Sequence, residues 1–245
     1  MQLKKFLLTA LLLTLILSLR LTEAAVPLPL HPALPYFTEM SEGRTQYIGA
    51  LERHFKKRTF IKTGSEAERM RMLLTDLTSR LSMHGEHTVL LLNEKHWNAY
   101  ALPGNIIVVT KGLADGLNDT ELTALLLHEL GHIALDHPGS ALQRTKDAQK
   151  SLDKSAAFLE AGQYEAAAEE FVAAIYKGRV ERSEEIAADV WAAEHLQETG
   201  LTAEEVTQYL RHAQKKLGDS FDGTQHPSFD ERIRIFERVN KNISL

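Results

Sequence analysis

Residues 128–132 read His-Glu-Leu-Gly-His inside a segment with helical periodicity. Because an α-helix completes a turn in 3.6 residues, side chains four positions apart lie on one face. His128 and His132 can therefore present two imidazoles to one metal ion, and Glu129 can reach a water bound to that metal. This pattern is typical of zinc-dependent hydrolases, and it predicts a single Zn²⁺ per chain.

A catalytic zinc usually takes three protein ligands and leaves the fourth position to water. The chain contains no cysteine, so the third ligand must be a histidine or a carboxylate. Glu185 and Asp189 form an acid pair four residues apart in a later helical segment. We expect Glu185 to bind the metal and Asp189 to accept a hydrogen bond from a ligand histidine. The alternative is a solvated acidic face, although this helix also carries the inward-packing residues Ile186, Val190 and Trp191.

The first 24 residues are typical of an export signal. Lys4 and Lys5 precede an apolar run from Phe6 to Leu19, and Thr22-Glu23-Ala24 offers small residues where a signal peptidase reads. The run is shorter than the roughly 20 residues that span a bilayer, and the alternative is a retained anchor that keeps the chain near the membrane. The signal and the lack of cysteine predict an exported protein in a bacterial periplasm.

Composition and charge bound the remaining possibilities. The formal net charge is −5 without a basic block, so nucleic acid is not an expected partner. After the signal at 1–24, a Pro-rich lead-in covers 25–40, and its four prolines predict an extended segment over 26–36. Residues 41–245 can then form one catalytic domain with its own core. Its oligomeric state is not indicated by the sequence.

Helices dominate the expected secondary structure. The helix of residues 128–132 should run from an Asn118 N-cap to near Pro138, and residues 146–198 look wholly helical. Within them, 151–177 resembles one tetratricopeptide hairpin, although a hairpin packed on the catalytic domain is the favoured interpretation. Other helices are expected over 42–57, from a Ser65/Glu68 capping box to before Gly85, and after Thr202/Glu205 and Ser228/Glu231 boxes.

Three short apolar segments punctuated by Pro103-Gly104 predict strands: Thr88–Leu92, Asn98–Leu102 and Ile106–Thr110. Helices around one small sheet give an α+β fold class in a single domain.

Five segments in fixed order carry a specific resemblance: Asn98-Ala99-Tyr100-Ala101-Leu102-Pro103-Gly104, Val108 to Leu113, His128 to His132, Glu185 to Asp189, and His226-Pro227. In these segments the chain resembles the gluzincin zinc peptidases of family M48, whose members include HtpX, the CAAX prenyl protease and BepA. The resemblance is strong over 98–137 and fainter elsewhere. Asn105 stands where a second glycine is common, and Ile186-Ala187 replaces a frequent Gln-Glu. The chain lacks the several membrane spans of HtpX, which favours the soluble, exported members.

The resemblance implies a mainly helical, zincin-type domain with a small sheet beside the helix of residues 128–132. It also implies roles for these residues. His128, His132 and Glu185 would bind zinc, and Glu129 would act as the general base and then as the proton donor. The edge strand formed by Asn98, Ala99, Tyr100, Ala101 and Leu102 would align an extended substrate by β-augmentation. That mode reads backbone groups, so it suits an unfolded or misassembled protein or peptide.

Two further histidines differ in what the sequence implies. His226 precedes a helix N-terminus, where it could donate to a developing oxyanion, occupy a fourth zinc position or simply begin the helix. His137 lies five residues after His132 and is expected to be a helix-end residue turned away from the metal.

The leading hypothesis is a zinc endopeptidase of the cell envelope that hydrolyses extended or misfolded proteins in quality control. The main alternative is an envelope assembly or chaperone-like factor whose peptidase site is latent or gated. A zinc hydrolase acting on a non-peptide substrate is a weaker third possibility, because the edge-strand segment serves an extended chain.

Overall fold

The computed structural model describes residues 31–55, 59–218 and 226–243 of the chain. The expected export signal at 1–24 lies outside these residues, together with positions 25–30 of the lead-in. Within the described ranges, no helix has the length and apolarity needed to cross a membrane. These residues form twelve helices and four strands, which confirms a mainly helical α+β fold.

The helices are α1 (Ala33–Glu39), α2 (Ser41–His54), α3 (Ser65–Arg80), α4 (Lys111–Gly116), α5 (Asp119–Ala134), α6 (His137–Arg144), α7 (Lys146–Glu160), α8 (Tyr164–Lys177), α9 (Arg182–Glu194), α10 (Leu196–Thr199), α11 (Ala203–Leu217) and α12 (Phe229–Ile243). The strands are β1 (Phe60–Ile61), β2 (Thr88–Leu92), β3 (Ala99–Leu102) and β4 (Ile106–Thr110). The three predicted strands are confirmed, and β1 is an addition that was too short to predict.

The four strands form one sheet in the order β1-β2-β4-β3. The pair β2–β4 is parallel, whereas β1–β2 and β3–β4 are antiparallel. Every residue of β4 is buried, because helices cover both faces of this central strand. Strand β3 lies at an edge and contacts α5, so the sheet stands beside the helix of residues 128–132 as expected.

Alternate side chains of the sheet enter two separate cores. Leu91, Ile107 and Val109 join the core formed with α3, α5, α9, α11 and α12. Leu92, Ile106 and Val108 join the core formed with α1, α2, α7 and α8. The hairpin α7–α8 is therefore packed on the domain, as the favoured interpretation held, with Phe171 stacked on Phe37 at a centroid distance of 4.6 Å.

The predicted extended conformation is wrong for residues 33–36, which belong to helix α1. Pro32 stands at its N-cap and Pro35 lies in its first turn. The backbone N–H groups of a first turn have no partner within the helix, so proline loses no hydrogen bond there. Ala33, Leu34 and Phe37 are buried. Burial of this apolar face stabilises the helix against the extended form that the prolines alone would favour.

The helix carrying the histidines ends earlier than predicted, at Ala134 rather than near Pro138. Asp136 adopts a left-handed conformation with φ of 50°, and α6 begins directly after it. Pro138 lies in the first turn of α6, so it begins the next helix instead of ending the previous one. Residues 146–198 are almost wholly helical, as predicted, and short breaks at 161–163 and 178–181 separate α7, α8 and α9.

Three of the four predicted capping interactions form. The side chains of Asn118, Thr202 and Ser228 each accept a hydrogen bond from the backbone N–H three residues later. In each case the glutamate at that later position accepts a hydrogen bond from the backbone N–H of the capping residue. The predicted box of Ser65 with Glu68 does not form, because Ser65 is already the first helical residue and its hydroxyl faces Glu66. Gly64, with φ of 102°, occupies the N-cap instead.

Candidate active site

The structure brings His128 and His132 of α5 together with Glu185 of α9. The two Nε2 atoms lie 3.2 Å apart. The carboxylate of Glu185 lies 3.6 Å from each of them, through Oε2 to His128 and Oε1 to His132. The two histidines are buried and the Glu185 side chain is only 12% exposed. The two imidazole nitrogens and the carboxylate thus form a ligand triangle whose atoms all lie within 4.8 Å of one another.

This triangle fits a tetrahedral zinc ion. With ligand bonds of about 2.0–2.1 Å, two ligands of a tetrahedral zinc are about 3.4 Å apart. The two nitrogens are 3.2 Å apart, and each lies 3.6 Å from one oxygen of Glu185. Two imidazoles and one carboxylate are also a known donor set of catalytic zinc sites, which keep the fourth position open. The residues present therefore match the group that the sequence predicted.

The helices α5 and α9 approach closely at Gly131, between the two histidines. A Cβ at Gly131 would stand 2.8 Å from the Ala188 carbonyl oxygen and 3.3 Å from Trp191. The absence of a side chain there lets α9 lie against α5 and carry Glu185 to the histidine pair. The glycine of the segment 128–132 is thus required by packing rather than by backbone conformation.

We expect Gly131→Ala to weaken zinc binding and to lower the free energy of unfolding by about 1–3 kcal/mol, because the methyl group would push α9 outward. Zinc titration of the metal-free protein and denaturant unfolding measure the two effects. Gly49→Ala is the matched control, since a Cβ at this helical position in α2 meets only the Arg53 guanidinium at 3.5 Å. It should leave both quantities equal to or above those of the wild type. Equal zinc affinity in the two variants would contradict the expectation.

Asp189 lies one turn beyond Glu185 and is fully buried. Its Oδ1 lies 2.9 Å from Nδ1 of His128, on the side of the ring opposite the ligand triangle. The guanidinium of Arg232 on α12 donates to both oxygens of Asp189, at 2.7 Å each. The sequence placed Asp189 against a ligand histidine, and the structure brings the two together. Arg232 was missed, since no spacing rule connects residues so distant in the chain.

His132 has a different partner, and the sequence-based expectation for that partner was wrong. His137 does not turn away from the metal face, because the break at Asp136 folds it back beneath the histidine pair. Its Nδ1 lies 2.9 Å from Nδ1 of His132, and only 7% of the residue is exposed. The two candidate ligands are thus held by chemically different groups, a carboxylate and an imidazole.

The electrostatics of the centre favour a cation. Burial opposes a charge on His128, but the carboxylates of Asp189 and Glu185 more than offset it and raise its pKa to about 9. Burial lowers the pKa of His132 to about 3. Burial would raise the pKa of Glu185, yet hydrogen bonds from His128 and His226 hold it well below its usual range. The same negative field that retains a proton on His128 in the metal-free protein would stabilise a divalent ion in its place.

Glu129 lies on α5 beside the ligand triangle and next to the sheet. It is 7% exposed, and burial raises the pKa of its carboxyl to about 7 while the backbone N–H of Ala101 donates to it. A carboxyl whose pKa lies near neutrality can both accept and return a proton under ordinary conditions. The catalytic candidate and the edge strand are therefore in direct contact.

Strand β3 turns part of its backbone toward the open edge. The N–H of Thr110 donates to the carbonyl of Asn98, so the alternation of an antiparallel pair leaves Ala99 and Ala101 facing outward. The outward N–H of Ala99 is bonded to Oδ1 of Asn98, and the Asn98 amide donates to the hydroxyl of Tyr100. The predicted edge strand thus begins at Ala99, and it runs past Glu129.

His226 lies at the rim of the centre. Its side chain is 48% exposed, and its Nδ1 stands 3.6 Å from Oε2 of Glu185. The Ser228–Glu231 cap begins α12 two residues later, as predicted. The structure therefore places His226 near the ligand triangle, but its side chain stays partly exposed.

Comparison with known proteins gives three findings. The family model described as peptidase family M48 matches residues 65–239. A relative named metalloprotease YcaL, from Escherichia coli K12, is 31% identical over 148 residues, which are 58% of this chain and 55% of that protein. The chain thus spans about half the length of this curated relative. The crystal structure of Ste24p from S. mikatae aligns with 79% of this chain and 55% of its own, with a TM-score of 0.45 and 16% identity.

Proposed function

Because the chain belongs to peptidase family M48, we propose that it is a zinc endopeptidase of the cell envelope that cleaves extended or misfolded proteins. One observation carries this proposal. A triangle of candidate zinc ligands stands next to a buried carboxyl group, and that carboxyl accepts a hydrogen bond from an open edge strand. The proposed metal ligands and the proposed peptide-binding strand β3 thus both lie next to Glu129, the proposed proton carrier.

In this function His128, His132 and Glu185 would hold the zinc. Zinc bound there would polarise the scissile carbonyl and lower the pKa of the attacking water. Glu129 accepts the proton of that water and passes it to the leaving amine nitrogen. Asp189 keeps His128 in the tautomer that leaves Nε2 free for the metal.

The substrate class follows from β3. An extended chain can add to this edge as a further strand, and the outward carbonyls of Ala99 and Ala101 would accept hydrogen bonds from it. The N–H groups of these two residues already donate to Asn98 and Glu129. Pairing through backbone groups selects for an extended conformation more than for a particular sequence. Unfolded or misassembled polypeptides have such segments, whereas a native globular protein hides most of them.

His226 stands where two roles are open to it. Its exposed ring could donate to the oxyanion that develops on the scissile carbonyl, or it could occupy the fourth zinc position in the resting protein. The contact with Glu185 supports a place near the metal in either case. The envelope location is supported by the export signal expected at 1–24 and by the absence of cysteine.

The purified full chain tests this function. We expect one zinc per chain, cleavage of unfolded casein, loss of cleavage with a chelator and its return when zinc is added back. Native, tightly folded proteins should be cut far more slowly than casein. Zinc-loaded protein that leaves casein intact, or cleavage that persists after the metal is removed, contradicts the proposal. Recovery in the osmotic-shock fraction of bacterial cells tests the location separately.

A further inference from the structure

The ring of His132 has two nitrogens with different surroundings. Nε2 faces the ligand triangle, 3.2 Å from Nε2 of His128. Nδ1 points the other way and meets Nδ1 of His137 at 2.9 Å, with the two rings inclined at 75°. Both histidines are buried, with 4% and 7% of their surface exposed. The second contact is therefore a hydrogen bond between imidazoles, shielded from water.

The proton in that bond can be placed by the chemistry of the metal. A histidine that binds zinc through Nε2 uses the lone pair there, so its neutral ring carries the proton on Nδ1. His132 must then be the donor and Nδ1 of His137 the acceptor. His137 consequently carries its own proton on Nε2. It accepts the hydrogen bond from His132 that a carboxylate often accepts from a zinc-binding histidine.

The backbone is shaped to make this contact. In a continuous helix, a residue five positions after His132 would point about 140° away from it. Instead α5 ends at Ala134, and Asp136 takes a left-handed conformation that non-glycine residues rarely adopt. The Asp136 carboxylate lies against Gly139, where a Cβ would stand 2.4 Å from it. Strained backbone of this kind persists where the surrounding structure requires it, and here it brings His137 under His132.

We propose that His137 is a positioning residue that accepts a hydrogen bond from Nδ1 of His132 and thereby fixes Nε2 of His132 toward the metal. The proposal rests on the zinc site of the proposed function. It assigns His137 no contact with zinc or substrate. Partners of this kind typically change metal affinity or activity by about 10–100-fold when they are removed.

A pair of nearly isosteric variants isolates the acceptor. Asn places its Oδ1 close to the position of the histidine Nδ1, whereas Leu has the same shape and no acceptor. We expect His137→Leu to lower the zinc affinity of the full chain by about 10–100-fold and His137→Asn to remain within a few-fold of the wild type. Competition with a chromophoric chelator measures the affinity, so no peptidase assay is involved. Equal affinities of the Leu and Asn variants overturn the proposal, whether both match the wild type or both fall.

A measurement on the wild type covers the case in which the variants fold poorly. Histidine-selective ¹⁵N spectra of the zinc-loaded protein should show His137 protonated at Nε2 and bare at Nδ1. His137 protonated at Nδ1 would exclude it as the acceptor. If the wild type binds no zinc at all, the proposed function fails first, and that outcome is distinct from the two above.

Discussion

Replacing Glu129 by glutamine should lower kcat for casein cleavage by about 10²–10⁴-fold while the protein keeps its zinc. The amide has the shape of the carboxylate, and its oxygen can still accept the hydrogen bond from Ala101. The glutamine amide cannot take a proton from water, so proton transfer is lost. Metal binding should be retained, because Glu129 is not one of the candidate ligands. Zinc content and cleavage are measured on the same preparation.

Glu194→Gln is the matched control, because Glu194 is exposed at the end of α9. It makes the same chemical change away from the site and should leave cleavage unaltered. A zinc-loaded Glu129→Gln protein that cuts at the wild-type rate would show that another group carries the proton. In a deletion strain, rescue by Glu129→Gln would favour the assembly-factor alternative.

The second large effect is expected at Arg232. Replacing it by methionine should lower the free energy of unfolding by about 3–5 kcal/mol, because the fully buried carboxylate of Asp189 loses its counter-charge. Asp189 would then be protonated or turn away from His128, and zinc affinity should fall as well. Denaturant unfolding of the metal-free protein measures the stability, and chelator competition measures the affinity.

Arg71→Met is the control for this change. Arg71 pairs with Glu68 at 2.7 Å, but both side chains are well exposed, so the loss should be below about 1 kcal/mol. A loss of similar size in the two variants, with zinc affinity unchanged in both, would mean that the Arg232–Asp189 pair does not support the metal site.

Local spacing made the centre of this site predictable. His128 and His132 share a helix face, and Glu185 and Asp189 share another, so each pair follows from one helical period. The caps at Asn118, Thr202 and Ser228 follow from equally local rules. The strands were predictable because short apolar runs end at turn residues.

Contacts between distant elements were harder to predict from the sequence. Arg232 reaches Asp189 only because α12 packs against α9, which no local pattern reports. His137 was misplaced because one left-handed residue, Asp136, separates α5 from the next helix. A single residue in that conformation is decided by what surrounds it, and the prolines of α1 were misread for the same reason: their helix depends on tertiary burial.

Helix α6 has only eight residues, yet its two ends touch both helices that carry candidate ligands. His137 at its start contacts His132, and Arg144 at its end forks onto both oxygens of Glu184, the neighbour of Glu185. Its middle, at Leu142, is buried in the core shared with the α7–α8 hairpin. The segment therefore ties the hairpin to both helices that carry candidate ligands, so a shift of α6 would disturb the partner of His132 and the start of α9 together.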